Sequence, residues 1–203
     1  MQQTEMDALE KLTDISRNYK AFLYDCDGTL ADNMEAHRLT YVKVAADHGL
    51  EITGDIVYEL AGWPTVKVVE EINRRHHTNL DPEKFNELKY RLFLDEYIDL
   101  TQPVTTVVDH LKSHAGKVKI GVVSGGSREA VEKTLNILKI RGLVEVIVCA
   151  GETLHGKPFP DPFLKAAAEL GIAPEDCIVF EDAEPGVTAA KAAGMAWVRI
   201  DQL

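Results

Sequence analysis

This sequence predicts an α/β fold: a parallel sheet with helices on both faces, plus an inserted all-helical lobe. Apolar strand-like runs recur at Ala21–Tyr24, Val118–Val123, Val144–Cys149, Cys177–Phe180 and Ala196–Ile200. From the second run onward they alternate with helix-like segments, the pattern of parallel strands joined by helical crossovers. Between Asp32 and about Pro103 that rhythm stops, and the chain turns helical over a span too long for a loop.

Taken in order, Met6, Leu9, Leu12 and Ile15 stand at helical spacing within a polar segment, Met1–Ser16. An amphipathic helix lying on the domain is expected there, since the segment lacks the uninterrupted apolar core of a signal peptide. Ala21–Tyr24 is the first strand. The helical stretch then reads Glu35–His48, Thr53–Leu60, Thr65–Arg75 and Pro82–Leu100. Expected boundaries are therefore 1–32 and 103–203 for the α/β core and 33–102 for the lobe, whose two linkers lie near Asp25. A lobe in that place can close over a site, exclude water and choose a substrate.

Back in the core, Ser127–Leu138 opens with Ser-Arg-Glu-Ala, a capping-box spacing, and Asp161–Leu170 has Pro162 at its start and closes at Gly171. Alanine-rich Pro185–Ala193 ends at Gly194. In such a sheet, function sits at the carboxyl ends of the strands.

The chain has 203 residues and a net charge of −11, which argues against a nucleic-acid or anionic-membrane surface. An anionic substrate then needs local neutralisation by a cation or a lysine. Cys26, Cys149 and Cys177 are odd in number, widely spaced and set in or beside apolar runs, so they read as buried thiols of a cytoplasmic protein. No window approaches the length of a membrane span.

Four strand ends carry polar residues: Asp25 and Asp27 after the first, Ser124-Gly125-Gly126 after the second, Gly156-Lys157-Pro158 after the third, and Glu181-Asp182 after the fourth. Singly each is ambiguous, because Asp-Gly is common turn punctuation and acidic pairs are usually solvated. Their shared place at strand ends points to phosphoryl transfer. Asp25 is the expected nucleophile, forming an aspartyl phosphate, while Asp27 handles a proton. Asp25, Asp182 and the carbonyl of Asp27 are the expected ligands of a magnesium ion, which takes hard oxygen donors. Glu181 either orients a bound water or joins the metal shell. Lys157 holds phosphate and quenches repulsion among the carboxylates, and Ser124 with the Gly125 amide binds phosphoryl oxygens.

Asp-x-Asp-Gly-Thr-Leu, a serine closing an apolar strand, Gly-Lys-Pro-x-Pro-Asp-Pro-Phe, and Val-Phe-Glu-Asp-Ala-x-x-Gly-Val-x-Ala-Ala-x-x-Ala-Gly-Met together resemble the haloacid dehalogenase-like hydrolases from Lys20 onward. That resemblance implies a Rossmann-like core with a helical cap, magnesium dependence, and Asp27 as general acid and then base. Within the superfamily the chain is similar to the branch of β-phosphoglucomutases and small sugar-phosphate phosphatases such as fructose-1-phosphate phosphatase. His37 matches a position those relatives use near the substrate.

Mutases of this branch grip the distal phosphate with an arginine in a cap-loop stretch that reads Leu60-Ala-Gly62-Trp63-Pro64-Thr65-Val66 here. The arginine is missing, and Lys67, Lys89 or Arg91 are the replacements on offer. Gly62, Trp63 and Thr65 are the expected sugar contacts, with plain cap core the other reading of Trp63. His76-His77 point about 100° apart on a helix and read as surface residues. His155 either tunes the phosphate site or is simply exposed.

The expected activity is magnesium-dependent hydrolysis of a small sugar phosphate of the hexose-phosphate type, such as fructose 1-phosphate, through an aspartyl phosphate, with phosphomutase as the alternative and a phospho-receiver signalling domain as a remote one.

Overall fold

The computed structural model describes residues 2–203, with side chains from residue 6. It divides into two compact units, Met1–Asp32 with Gln102–Leu203, and Asn33–Thr101.

The first unit is built on five parallel strands: β1 (Ala21–Tyr24), β4 (Lys119–Val123), β5 (Val146–Val148), β6 (Cys177–Glu181) and β7 (Ala196–Arg199). Their order is β5-β4-β1-β6-β7, and β1 is central, with Tyr24 beside Val122 on one side and Phe180 on the other. Strand alternation divides the core into two layers. Phe22 and Tyr24 face α6 (Thr105–His114) and α7 (Arg128–Ile137), burying Val107, Leu111, Val131 and Leu135. Ala21 and Leu23 face α8 (Asp161–Leu170) and α9 (Glu184–Ala192), burying Phe163, Ala166 and Ala190. This is the parallel α/β sheet with helices on both faces that the sequence predicts.

Two short strands, β2 (Ala31–Asp32) and β3 (Gln102–Pro103), form an antiparallel ribbon in which Ala31 pairs with Pro103 and Asp32 with Gln102. Neither is predicted, since two residues carry no period. Helix α6 is also absent from the sequence reading; its apolar stripe is short, and His110 interrupts it.

Helix α1 (Gln2–Ser16) is present, but its expected apolar face is not continuous. Met6 and Ile15 are exposed, and the contact is made by Leu12 and Ser16, both fully buried. Ser127 caps α7 by accepting the Ala130 amide, and because N3 is alanine the reciprocal half of a capping box is missing.

The second unit is helical among its described residues: α2 (Met34–Asp47), α3 (Ile56–Glu59), α4 (Thr65–His76) and α5 (Pro82–Leu92), the last running on as a π turn over Phe93–Tyr97 and a 3-10 turn over Ile98–Leu100. Its own core contains Tyr41, Val44, Ile56, Val69, Ile72 and Phe85. Helix α3 is shorter than the predicted Thr53–Leu60 because Gly54 sits at φ +82°, where a helix cannot begin, and a Cβ there would lie 2.7 Å from Arg38 Cγ. Asp81 accepts the Glu83 and Lys84 amides and Pro82 occupies the first turn, which starts α5 cleanly.

Candidate active site

The C-terminal tips of β1, β4 and β6 and the loop after β5 converge on Lys157. Its Nζ donates to Asp25 Oδ1 at 2.6 Å, Glu181 Oε1 at 2.6 Å and the Val123 carbonyl at 2.8 Å. All three side chains are buried. Burial alone lowers the lysine's pKa, yet the two carboxylates outweigh it and hold Lys157 above the ordinary value, so it stays an ammonium.

Asp25 responds the opposite way. Burial pushes its carboxyl well up, Glu181 and Asp182 add to that, and Lys157 pulls it back. Lys157 is thus the group beside Asp25 that favours its ionised form. Asp182 is pushed up to about 6 by burial and by Glu181, opposed by the Thr29 hydroxyl, which donates to its Oδ1 at 2.9 Å.

One oxygen from each of Asp25, Glu181 and Asp182 lies within 4.8 Å of the others. Three carboxylates face one ammonium, and their uncompensated negative charge adds to burial in raising the pKa of Asp25 and Asp182. A hard divalent cation with oxygen ligands fits that donor set. Close approach of the Asp27–Thr29 turn completes the cradle: Gly28 adopts φ +88°, and a Cβ there would stand 2.3 Å from Asp182 Oδ2. Of the two acidic neighbours at the end of β6, Asp182, just past the strand, is held by a hydroxyl, whereas Glu181, its last residue, is gripped from both sides, by Lys157 through Oε1 and by the Ala183 amide through Oε2 at 3.0 Å.

Asp27 is half-buried, and a Cβ on Gly126 would lie 3.5 Å from its Oδ2. Ser124 is buried, with Oγ accepting the Gly126 amide at 3.0 Å, and Gly125 is exposed with open space around it. Asp25, Asp27, Ser124, Lys157, Glu181 and Asp182 thus come from four strand ends into one neighbourhood.

The expected sugar contacts lie in the second unit. Gly62 and Trp63 are exposed in the turn between α3 and α4, and Trp63, 48% exposed, is not core. Thr65 is buried at the start of α4. His37 stacks on Phe93 with centroids 4.2 Å apart, and its Nδ1 accepts from Lys89 Nζ at 2.9 Å. Lys67 and Arg91 are exposed and paired with Glu70 and Glu87, while Lys89 is buried over the Tyr90 ring. His76 and His77 are exposed. His155 is exposed too, 3.1 Å from Asp161 and packed on Phe159.

Sequence reasoning gives no role to Thr29 or Gly186. Thr29 directly follows the Asp-x-Asp-Gly turn and is fully buried, which the motif's hydroxyl could have signalled. Gly186 lies in the first turn of α9 against Glu181, where a Cβ would meet Oε1 at 1.8 Å. A glycine inside an otherwise alanine-rich helix is the available sign.

A haloacid dehalogenase-like hydrolase family model matches residues 22–200. The chain belongs to the haloacid dehalogenase-like hydrolases. Family membership replaces the phospho-receiver reading. The chain is similar to the fructose-1-phosphate phosphatase YqaB of Escherichia coli strain K12, 33% identical over 177 residues that cover 87% of this chain and 94% of that protein. It is similar also to the β-phosphoglucomutase of Bacillus subtilis strain 168, 32% identical over 193 residues covering 90% and 84%. Among solved structures, a β-phosphoglucomutase of Clostridium difficile superposes with a TM-score of 0.73 at 26% identity, covering 89% of this chain and 84% of that one. No described helix is long and apolar enough to cross a membrane.

Proposed function

We propose that the protein is a magnesium-dependent phosphatase of small sugar phosphates, of the hexose-phosphate type such as fructose 1-phosphate, acting in the cytoplasm. The observation that carries this reading is Lys157 Nζ standing 2.6 Å from Asp25 and from Glu181, a buried cation that favours the ionised form of a nucleophilic carboxylate and offers charge to a phosphate. The names of the relatives, a sugar-phosphate phosphatase and a sugar phosphomutase, support the substrate class.

In this mechanism an Asp25 oxygen attacks phosphorus, the bond from phosphorus to the sugar oxygen breaks, and Asp27 as the acid gives its proton to the departing alkoxide. Water then attacks the aspartyl phosphate, Asp27 takes the water's proton, and the bond to Asp25 breaks. Ser124 Oγ and the Gly125 amide hold phosphoryl oxygens through both steps. Asp25, Asp182 and the Asp27 carbonyl, with Glu181 beside them, would hold the magnesium ion. When bound, it supplies charge neutralisation for the phosphate.

The segment 33–102 serves as the cap that selects the sugar, through His37, Gly62, Trp63 and Thr65. Lys89 is the one buried candidate to replace the missing mutase arginine.

Phosphate release from a panel of phosphorylated metabolites, with and without magnesium, tests the reading. Asp25→Asn is expected to abolish turnover in a folded protein, and a variant retaining near-normal release would remove Asp25 from its role. The similarity to the Bacillus subtilis mutase favours phosphomutase as the second reading. Incubation with β-glucose 1-phosphate and traces of the bisphosphate separates the two: isomerised sugar means mutase, free phosphate means hydrolase.

A further inference from the structure

Behind β1, on the face away from the carboxylates, three buried polar side chains form a chain. Ser16 at the end of α1, His110 on α6 and Tyr24 on β1 are each fully buried. Ser16 Oγ stands 3.0 Å from His110 Nε2, and Tyr24 Oη stands 2.9 Å from His110 Nδ1.

Proton counting gives the bonds a direction. The Ser16 hydroxyl has one hydrogen, which it donates to the Leu12 carbonyl at 2.8 Å, so towards His110 it accepts. Nε2 therefore carries the imidazole proton, and Nδ1 accepts from Tyr24. Burial pushes the Tyr24 phenol well up, which keeps it a donor, and pulls His110 down to about 3, which keeps it neutral.

The chain leads to the two strands that bear the site. Tyr24 immediately precedes Asp25 and stacks on Phe180, centroids 4.6 Å apart and planes 14° apart. Phe180 immediately precedes Glu181. His110 stacks on Phe22 at 5.3 Å. Helix α1 itself lies N-terminal to the matched family region, which begins at residue 22.

We propose that Ser16 and His110 are positioning residues that make helix α1 part of the support of the nucleophile, through the relay from Ser16 to His110 to Tyr24 and so to Asp25. This rests on the reading of Asp25 as nucleophile.

The test compares Ser16→Ala, Ser16→Thr and Tyr24→Phe by turnover of p-nitrophenyl phosphate with magnesium and by residue-resolved amide hydrogen exchange. Losing one buried hydrogen bond is expected to lower kcat in Ser16→Ala by roughly threefold to tenfold with KM within about twofold. Amide exchange is expected to quicken in β1 at Leu23, Tyr24 and Asp25 as well as in α1, and Ser16→Thr, which keeps the hydroxyl, is expected to restore both. Tyr24→Phe keeps the ring stack and is expected to quicken exchange at the far end, in the last turn of α1; it also serves if Ser16→Ala does not fold. Faster exchange confined to the element that was mutated, with kcat unchanged, overturns the relay. A wild-type protein that hydrolyses no phosphomonoester overturns the proposed function instead, and the relay then stands or falls on the exchange pattern alone.

Discussion

Gly186→Ala isolates the support of Glu181 from every catalytic side chain. An alanine in α9 gains about 1 kcal/mol of helix propensity over glycine, so a surface site would be stabilised. Here the new Cβ would lie 1.8 Å from Glu181 Oε1 and 2.0 Å from its Cδ. Ordinary carbon contacts begin near 3.5 Å, so the carboxylate must retreat by more than about an ångström. Its bonds to Lys157 at 2.6 Å and to the Ala183 amide at 3.0 Å cannot survive that movement. Breaking a buried, hydrogen-bonded ion pair costs about 3–5 kcal/mol, which outweighs the helix gain and leaves a net loss of about 2–4 kcal/mol. For a chain of this size that lowers Tm by about 5–15 °C. Lys157 keeps Asp25 and the Val123 carbonyl but loses an anchor, so kcat is expected to fall at least about tenfold. Scanning calorimetry and phosphate release measure both, with Gly142→Ala as control because the space around its would-be Cβ is open. A Gly186→Ala protein with the Tm and kcat of the wild type would refute the close approach and the role built on it.

Gly28→Ala places a Cβ 2.3 Å from Asp182 Oδ2 on a backbone at φ +88°, so the half-saturating magnesium concentration in the phosphatase assay is expected to rise by about tenfold or more; an unchanged magnesium titration counts against Asp182 as a ligand. Burial pulls His110 down to about 3, from an ordinary value of 6.5, with Tyr24 and His114 the titratable groups packed against it. Below pH 6.5 the unfolded chain takes up the proton first, so this stability is complete above pH 6.5 and drains as pH falls towards 3, at up to about 1.4 kcal/mol per pH unit. Urea unfolding between pH 7 and 4.5 is expected to show a shallower acid slope for His110→Gln than for the wild type, and parallel slopes would contradict the assignment.

The five main strands are legible in the sequence because each is a short, mainly apolar run, and the central ones, Ala21–Tyr24 and Cys177–Phe180, are apolar throughout, the mark of parallel strands buried on both faces. Their tips are legible for a related reason: a carboxylate or serine that ends such a run stands at the carboxyl edge of the sheet, where parallel α/β sheets bind their ligands. What escapes has physical causes. Helix α6 buries Val107, Val108 and Leu111, but the buried residue between them is a histidine, which reads as polar until Ser16 and Tyr24 are seen to satisfy it. Gly186 and Thr29 act by where they let a carboxylate sit, and that partner is distant in sequence for Thr29 and on a different element for Gly186. Trp63 is undecided in the sequence between a sugar contact and plain cap core, since an aromatic beside a proline fits either, and its 48% exposure decides against core.

The ribbon of β2 and β3 has a bearing on how this chain folds and how it has been free to change. Ala31 against Pro103 and Asp32 against Gln102 bring the departing and returning strands to adjacent positions before Asn33–Thr101 begins. Closing a flexible loop costs only about 0.6 kcal/mol more for each doubling of its length, so the ribbon bears nearly the same entropic load whatever is spliced beyond it. The insert can therefore lengthen or shorten while the sheet and the carboxylates at its strand ends keep their register.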